Sequence, residues 1–426
     1  MTFAQCREDV AITCNATGND YDLLDCPLGC QDGVGCRSCQ PNETVCANGA
    51  VRTCDANGDE VAAEPCALGC FENEPRCRRV LPSNFTSSIF DMAKDGPVLD
   101  LASGSIDTNS GMLSPSVVVP SFLVSTPGAP SLRVFLVRSA RLGNVQITGT
   151  NAFALAAEGP IEITGRVVVA PGVGRPAAGC NAGAGRSRET GSPPYEYAAS
   201  ASGGGGNGTA GGRGGSLTTT STGVVYQGGS GGGVVGSDPL VPLQGGCGAG
   251  GIDGTVTVGA YPPPGDGGGA VQLVSQEAIQ VSGVIDVRGP GGYREQTQDM
   301  LVVYGAGAGG SILLEAATVE LGATGKLIAK GGGGGSEVGN ATSNDTADAD
   351  LGAPGSGLFG AGGNGAAPGV AASNGADVTR PNLDPAAGGG GGGGGLGRLR
   401  VNATSYVKHN SAVEAALTSL GMIQSR

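Results

Sequence analysis

Eight consecutive glycines, 388–395, run directly into the alternating stretch "LGRLRV". Glycine loses more backbone entropy on folding than any other residue. Such a run is therefore either a slack tether or a place where no side chain fits. The chain has 83 Gly and 25 Pro among 426 residues but lacks the every-third-glycine period of collagen. Where the other glycine tracts fall decides between the two readings.

Five places share a glycine followed by apolar residues at +2 and +4: Gly143, Gly165, Gly283, Gly325 and Gly397. Period-two alternation buries one face of a strand. Upstream of three of them lie the further pairs Ile161/Ile163, Ile279/Val281 and Leu321/Ala323, and before those Phe153/Leu155, Val271/Leu273 and Ile312/Leu314. Each unit reads as three short strands with a glycine at one corner. Gly143 and Gly165 are 22 residues apart, about one coil of a β-solenoid, whose stacked coils need only one inward pair per strand to build a core. This predicts that Val287, Leu273 and Ile312 point inward, while Gln272 and Glu315 point to solvent.

The glycine-rich stretches leave these units at one place, about six residues past the corner glycine. They occupy roughly 171–268, 289–309 and 331–395. Segments leaving one corner of stacked coils must lie side by side, and structureless connections of this length are uncommon in a compact domain. Extended polyproline-II-like chains without Cβ atoms can approach closely enough to hydrogen-bond to one another. The inserts are expected to pack as a flank.

Eleven of the thirteen cysteines lie in the first 77 residues. Cys39, Cys46, Cys54, Cys66, Cys70 and Cys77 are separated by 6, 7, 11, 3 and 6 residues; Cys6, Cys14, Cys26, Cys30 and Cys36 by 7, 11, 3 and 5. The two units are offset by 40 residues, and "CPLGC" repeats as "CALGC". The first lacks a counterpart of Cys39, so the odd thiol is expected there. Cys180 and Cys247 are placed to staple the first insert. Zinc would want paired short spacings or a nearby His; each unit offers one CxxxC, so disulfides are preferred, and with them an oxidising compartment. "MTFAQCRED" carries no export signal, which is expected to have been lost from the N-terminus. "DANGDE" has the alternating oxygens of a calcium loop at Asp55, Asn57 and Asp59, but its glycine stands fourth and Cys66 takes the twelfth place, so it reads as a turn.

The formal charge of −13 gives no footprint for nucleic acid, and no apolar run is long enough to span a membrane.

"CQPNETVCANGAVRTCDANGDEVAAEPCALGCFENEPRC" resembles the six-cysteine repeats of large secreted proteins of myxobacterial type. "GGAVQLVSQEAIQVSGVIDVRG", "GGSILLEAATVELGATGKLIAKGGGGG" and "GGGGGGLGRLRVN" are similar to a glycine-rich surface-protein family often paired with such repeats. The resemblance implies export and a repetitive β fold. It carries no catalytic or binding residue.

A polysaccharide lyase or glycosidase would need paired carboxylates, or calcium-binding acids beside a base, in one concave face. Asp345, Asp348 and Asp350 are the weak calcium candidates, in the third insert. Asp286 and Glu162, with Arg166 and Arg288 nearby, stand at outward strand positions and are expected to face solvent and keep the surface soluble. His409 is the only histidine, so a His-dependent triad would require it.

These readings combine into an all-β chain: disulfide repeats over 1–77 (1–36 and 39–77), a linker over 78–96, an irregular right-handed parallel β-solenoid over 97–406 with polyproline-II-like inserts, and a tail over 407–426. The expected role is that of a secreted, non-enzymatic surface or matrix protein, structural or adhesive, taking extracellular polysaccharide or other surface proteins as partners and open to self-association. The alternatives are the carbohydrate-active enzyme and an ice-binding protein, the latter suggested by "SLTTTSTG".

Overall fold

The computed structural model describes residues 5–426 except 16, 34, 38, 177–178, 191–195, 255–264, 297–300, 337–340, 342, 344, 347, 356–359 and 381–387. It is nearly all-β, and it divides into two compact units, 1–80 with 425–426, and 81–424.

The first unit holds one three-stranded antiparallel sheet for each cysteine repeat. Strands Gln5–Arg7, Val10–Cys14 and Tyr21–Asp25 form one; Thr44–Ala47, Ala50–Cys54 and Glu60–Pro65 form the other. Neither buries much apolar surface, as expected for modules of this size, which depend on covalent staples. The bridges Cys6–Cys30 and Cys26–Cys36 in the first repeat match Cys46–Cys70 and Cys66–Cys77 in the second. The second repeat also has Cys39–Cys54. Cys14 is the counterpart of Cys54, and it is free and exposed. "DANGDE" is a turn: the Asp55 carboxylate accepts from the backbone N–H groups of Asn57 and Asp59 at 2.8 and 3.0 Å. Alkylation of the oxidised, denatured monomer is expected to label one thiol per chain, at Cys14; label at Cys180 or Cys247 would contradict this pairing.

In the second unit a 16-stranded, mostly parallel sheet carries the core. Three ladders run through it. The first joins Leu132–Val137, Ala152–Ala157, Ala270–Ser275 and the leading halves of Ser311–Leu321 and Arg398–Lys408. The second includes Ile161–Ile163 and Ala278–Val281, ending on the trailing halves of the same two long strands. The third joins Arg166–Val169, Val284–Asp286, Lys326–Ile328 and Val413–Ala415. Residues 407–426, read from sequence as a tail, supply the last of these strands and Leu417–Gly421, which pairs with Arg398–Asn402. The inward side chains of all three ladders, Leu273, Val287 and Ile312 among them, form one apolar cluster.

The outward side of the first ladder differs from the sequence expectation. Gln272 and Glu315 are 0% and 1% exposed. The stretch read as a linker over 78–96 covers this side with its later part, 81–96: the 3-10 turn Ala93–Asp95 lies on Leu132–Val137 and Ala152–Ala157, and Ser83 caps Glu315. Asn84 in turn exchanges hydrogen bonds with Leu240 and Leu243.

The glycine-rich inserts are hydrogen-bonded to one another through their main chains. The eight-glycine run sits at the centre, and its partners change with a period of three. Gly390 and Gly393 donate to Ala376 and Ser373, Gly391 and Gly394 to Gly335 and Gly332, and Gly392 and Gly395 to Ser202 and Gly205. In the same order their carbonyls accept from Gly215 and Gly212, from Gly363 and Ala366, and from Ala306 and Gly309. Six neighbouring segments, drawn from all three inserts, surround this one. The Cys180–Cys247 bridge lies at the edge of the arrangement, where Cys247 N–H donates to Gly206 and its carbonyl accepts from Ala308.

Candidate functional site

The third ladder carries the densest group of charges among the described residues. Arg166 begins one strand and Asp286 ends the next. Val168 pairs with Asp286 in register, so Arg166 and Asp286 are diagonal neighbours on the outward face. Arg288 follows two residues later, and the third insert brings Asp345 against both arginines. Arg288 Nε donates to both Asp286 oxygens at 2.9 and 3.1 Å, and Arg166 reaches Asp345 at 2.6 and 3.2 Å. Contacts Arg166–Asp286 and Arg288–Asp345 close the ring.

Two aspartates and two arginines thus neutralise one another. Hydrogen bonds from Arg166, and then from Arg288, outweigh partial burial and hold the Asp345 carboxyl well below the usual carboxylate range. Burial works against the charge of Arg288, but Asp286 and Asp345 more than offset it and raise its pKa. A cavity of about 230 Å³ lies beside the ring, bordered by Val168, Pro171, Pro290 and Ser343, with Asp286 and Arg288 in its wall.

Because the folded Asp345 is depressed, its contribution to stability is complete above the unfolded value of about 3.9 and is lost as pH falls through the lower folded value. In urea titrations, Asp345→Asn is expected to be less stable than the parent at about pH 5, with the gap closing toward about pH 2. A gap independent of pH would separate Asp345 from these arginines.

Asp286 corrects the sequence reading. It is 4% exposed, because Asp345 and the glycine-rich chain close over a position that alternation alone makes outward. Glu162 is half-buried, with its side chain 44% exposed and Arg141 at 3.9 Å. The three aspartates of the third insert do not converge. Asp345 faces the arginines, Asp350 pairs with buried Lys330 at 2.8 Å, and Asp348 accepts from the Thr346 hydroxyl at 3.0 Å. Among the described residues no three His, Cys, Asp or Glu side chains gather as a metal site. His409 is half-exposed, 3.3 Å from Glu320.

The corner glycines fall into two sets. Gly165, Gly283 and Gly325 stack between the second and third ladders: the residues after Gly283 and Gly325 donate to the preceding corner glycine, Val284 to Gly165 and Lys326 to Gly283. Gly143 stands beneath Gly165. Gly397 lies elsewhere, leading into the first ladder, where Arg398 donates to Gly310.

Glu315 and Lys330 are among the buried polar groups that sequence reasoning missed. Glu315 accepts from the Ser83 hydroxyl at 2.5 Å, from Gln272 at 2.6 Å and from Asn402 at 3.1 Å. Lys330 is 0% exposed. The signal for the first was present: strand "AFALAA" is apolar at every position, which marks a sheet covered on both faces. For the second it was the lysine's place directly before five glycines.

No protein family matches the chain, and no curated protein or solved structure does either. The six disulfides are compatible with an extracellular location, and no described helix is long and apolar enough to cross a membrane.

Proposed function

We propose that the three ladders are the faces of an irregular right-handed parallel β-solenoid, that the inserts form a polyproline-II-like bundle on its flank, and that the protein is a secreted structural or adhesive component of a cell surface or matrix. The three-residue period of the hydrogen bonds around the central glycines supports the bundle, because polyproline II has three residues per turn.

The observation that carries the functional reading is where the bonding capacity of this flank is spent. The central segment bonds through its main chain to six neighbours, an arrangement suited to a rigid slab. The charged ring supports the same reading, since Asp286 and Asp345 are both engaged by guanidinium groups and neither is poised as a general acid or base. Extracellular polysaccharide is the partner class that the fold and an acidic, disulfide-stapled chain suit best. Glycan-array binding run beside depolymerisation assays tests this, with binding and no cleavage expected. Reproducible cleavage of any polysaccharide would replace the reading with that of a carbohydrate-active enzyme.

A further inference from the structure

We propose that Lys330 and Asp350 become joined by an intramolecular isopeptide bond between Nζ and Cγ, which closes the third insert covalently. The two side chains are 0% and 2% exposed, and Nζ lies 2.8 Å from Asp350 Oδ1. A dry ion pair of this kind carries the desolvation cost of both charges, which their attraction repays only in part. Converting it to an amide removes both charges and leaves a neutral group that needs only ordinary hydrogen bonds.

Both reactants are held in place by main chain. On the lysine side, Ala329 N–H donates to Ala415 and Gly331 N–H to Ala366; on the aspartate side, Asp350 carbonyl accepts from Gly365 and Ala353 N–H donates to Gly334. The reacting carbon is one bond beyond the oxygen that Nζ already touches. Fixing two groups at such a distance supplies the orientation that a bimolecular condensation in water lacks. The Asp348 carbonyl, 3.0 Å from Nζ, accepts one N–H and aims the nitrogen.

The step balances within the pair. A proton passes from the ammonium along the 2.8 Å hydrogen bond to Oδ1, giving an amine and a carboxylic acid. The nitrogen lone pair then forms the N–Cγ bond. The C–OH bond breaks, and its oxygen leaves with a second proton from nitrogen as one water. Ammonium plus carboxylate becomes amide plus water, with no oxidant, reductant or activated group. The Asp348 carbonyl remains as acceptor for the amide N–H.

Peptide mapping of the oxidised full-length protein decides the matter. Trypsin and a glutamate-specific protease together cut after Lys326, Lys330, Glu337 and Arg398. The expected product has residues 327–337 joined to 338–398, uncut after Lys330 and lighter than the two peptides by one water. In Asp350→Ala the two peptides separate and cleavage after Lys330 returns. A succinimide at Asp345, Asp348 or Asp350 also loses water but joins nothing, so a lighter peptide without the junction counts against the proposal. Release of Leu327–Lys330 as a free peptide from the parent protein overturns it, whatever the folding of the variant.

Discussion

Replacing Gly390, Gly392 and Gly394 together by alanine is expected to lower the melting temperature sharply, with each added methyl group costing about 1–3 kcal/mol by overpacking. The three positions face different neighbours. A Cβ on Gly390 would overlap the Ala361 carbonyl, one on Gly392 the Gly212 carbonyl, and one on Gly394 the Gly307 carbonyl. All of these obstacles are main chain, which cannot rotate away as a side chain can. Accommodating the methyl groups means separating segments whose N–H and C=O groups would then be buried without partners, so the upper part of the range applies.

A tether makes the opposite prediction. There, Gly→Ala restricts the unfolded chain and stabilises by about 0.4–1 kcal/mol at each site. The sign of the change in melting temperature therefore separates the two states of the eight-glycine run. Hydrogen exchange across 331–395 gives a second measure. The Gly390–Gly395 amides donate to Ala376, Gly335, Ser202, Ser373, Gly332 and Gly205, and these bonds are expected to protect them as a group. A neutral or raised melting point with fast exchange would mean that the run is slack after all.

The strands were legible in the sequence because a wet face makes alternation visible. In Ile161–Ile163 the pattern is buried, half-buried, buried, and the period shows. Where both faces are covered, the period vanishes: in Ala270–Ser275 every residue is buried, so Gln272 looked like a solvent position and is not one. Gly397 illustrates a related limit. A glycine followed by apolar residues at +2 and +4 describes any corner that feeds a strand, so spacing alone could not distinguish Gly397, which lies against Gly310 and leads into the first ladder, from Gly283. The cysteines were easier because their information is local. The counterpart of Cys54 is found by counting, and Cys14 is the thiol left over. Asp286 was the hardest, since its environment is completed by Asp345, which comes from the third insert and not from a neighbouring strand.

That long-range closure makes Asp286 a sensitive charged position. Asp286→Ala would leave Arg166 and Arg288 sharing Asp345, with Arg288 only 15% exposed. Removing one member of a buried pair typically costs about 3–5 kcal/mol, because the remaining charge stays desolvated. Arg166 is 36% exposed and keeps part of its hydration, so a loss near the lower end, about 3 kcal/mol, is expected. Asp286→Asn retains an acceptor oxygen for Arg288 Nε and should lose less. Glu162→Ala is the control from the same outward face of the sheet, with a side chain 44% exposed and an expected change within about 0.5 kcal/mol. Urea unfolding of the three variants measures the series. If Asp286→Ala proved as mild as Glu162→Ala, the ring would be a solvated surface cluster, and the third insert would be held by its glycines alone. If instead the loss is large and hydrogen exchange near residue 345 accelerates with it, the ring is what fastens the insert to the third ladder, since Asp345 is the insert's own member of it.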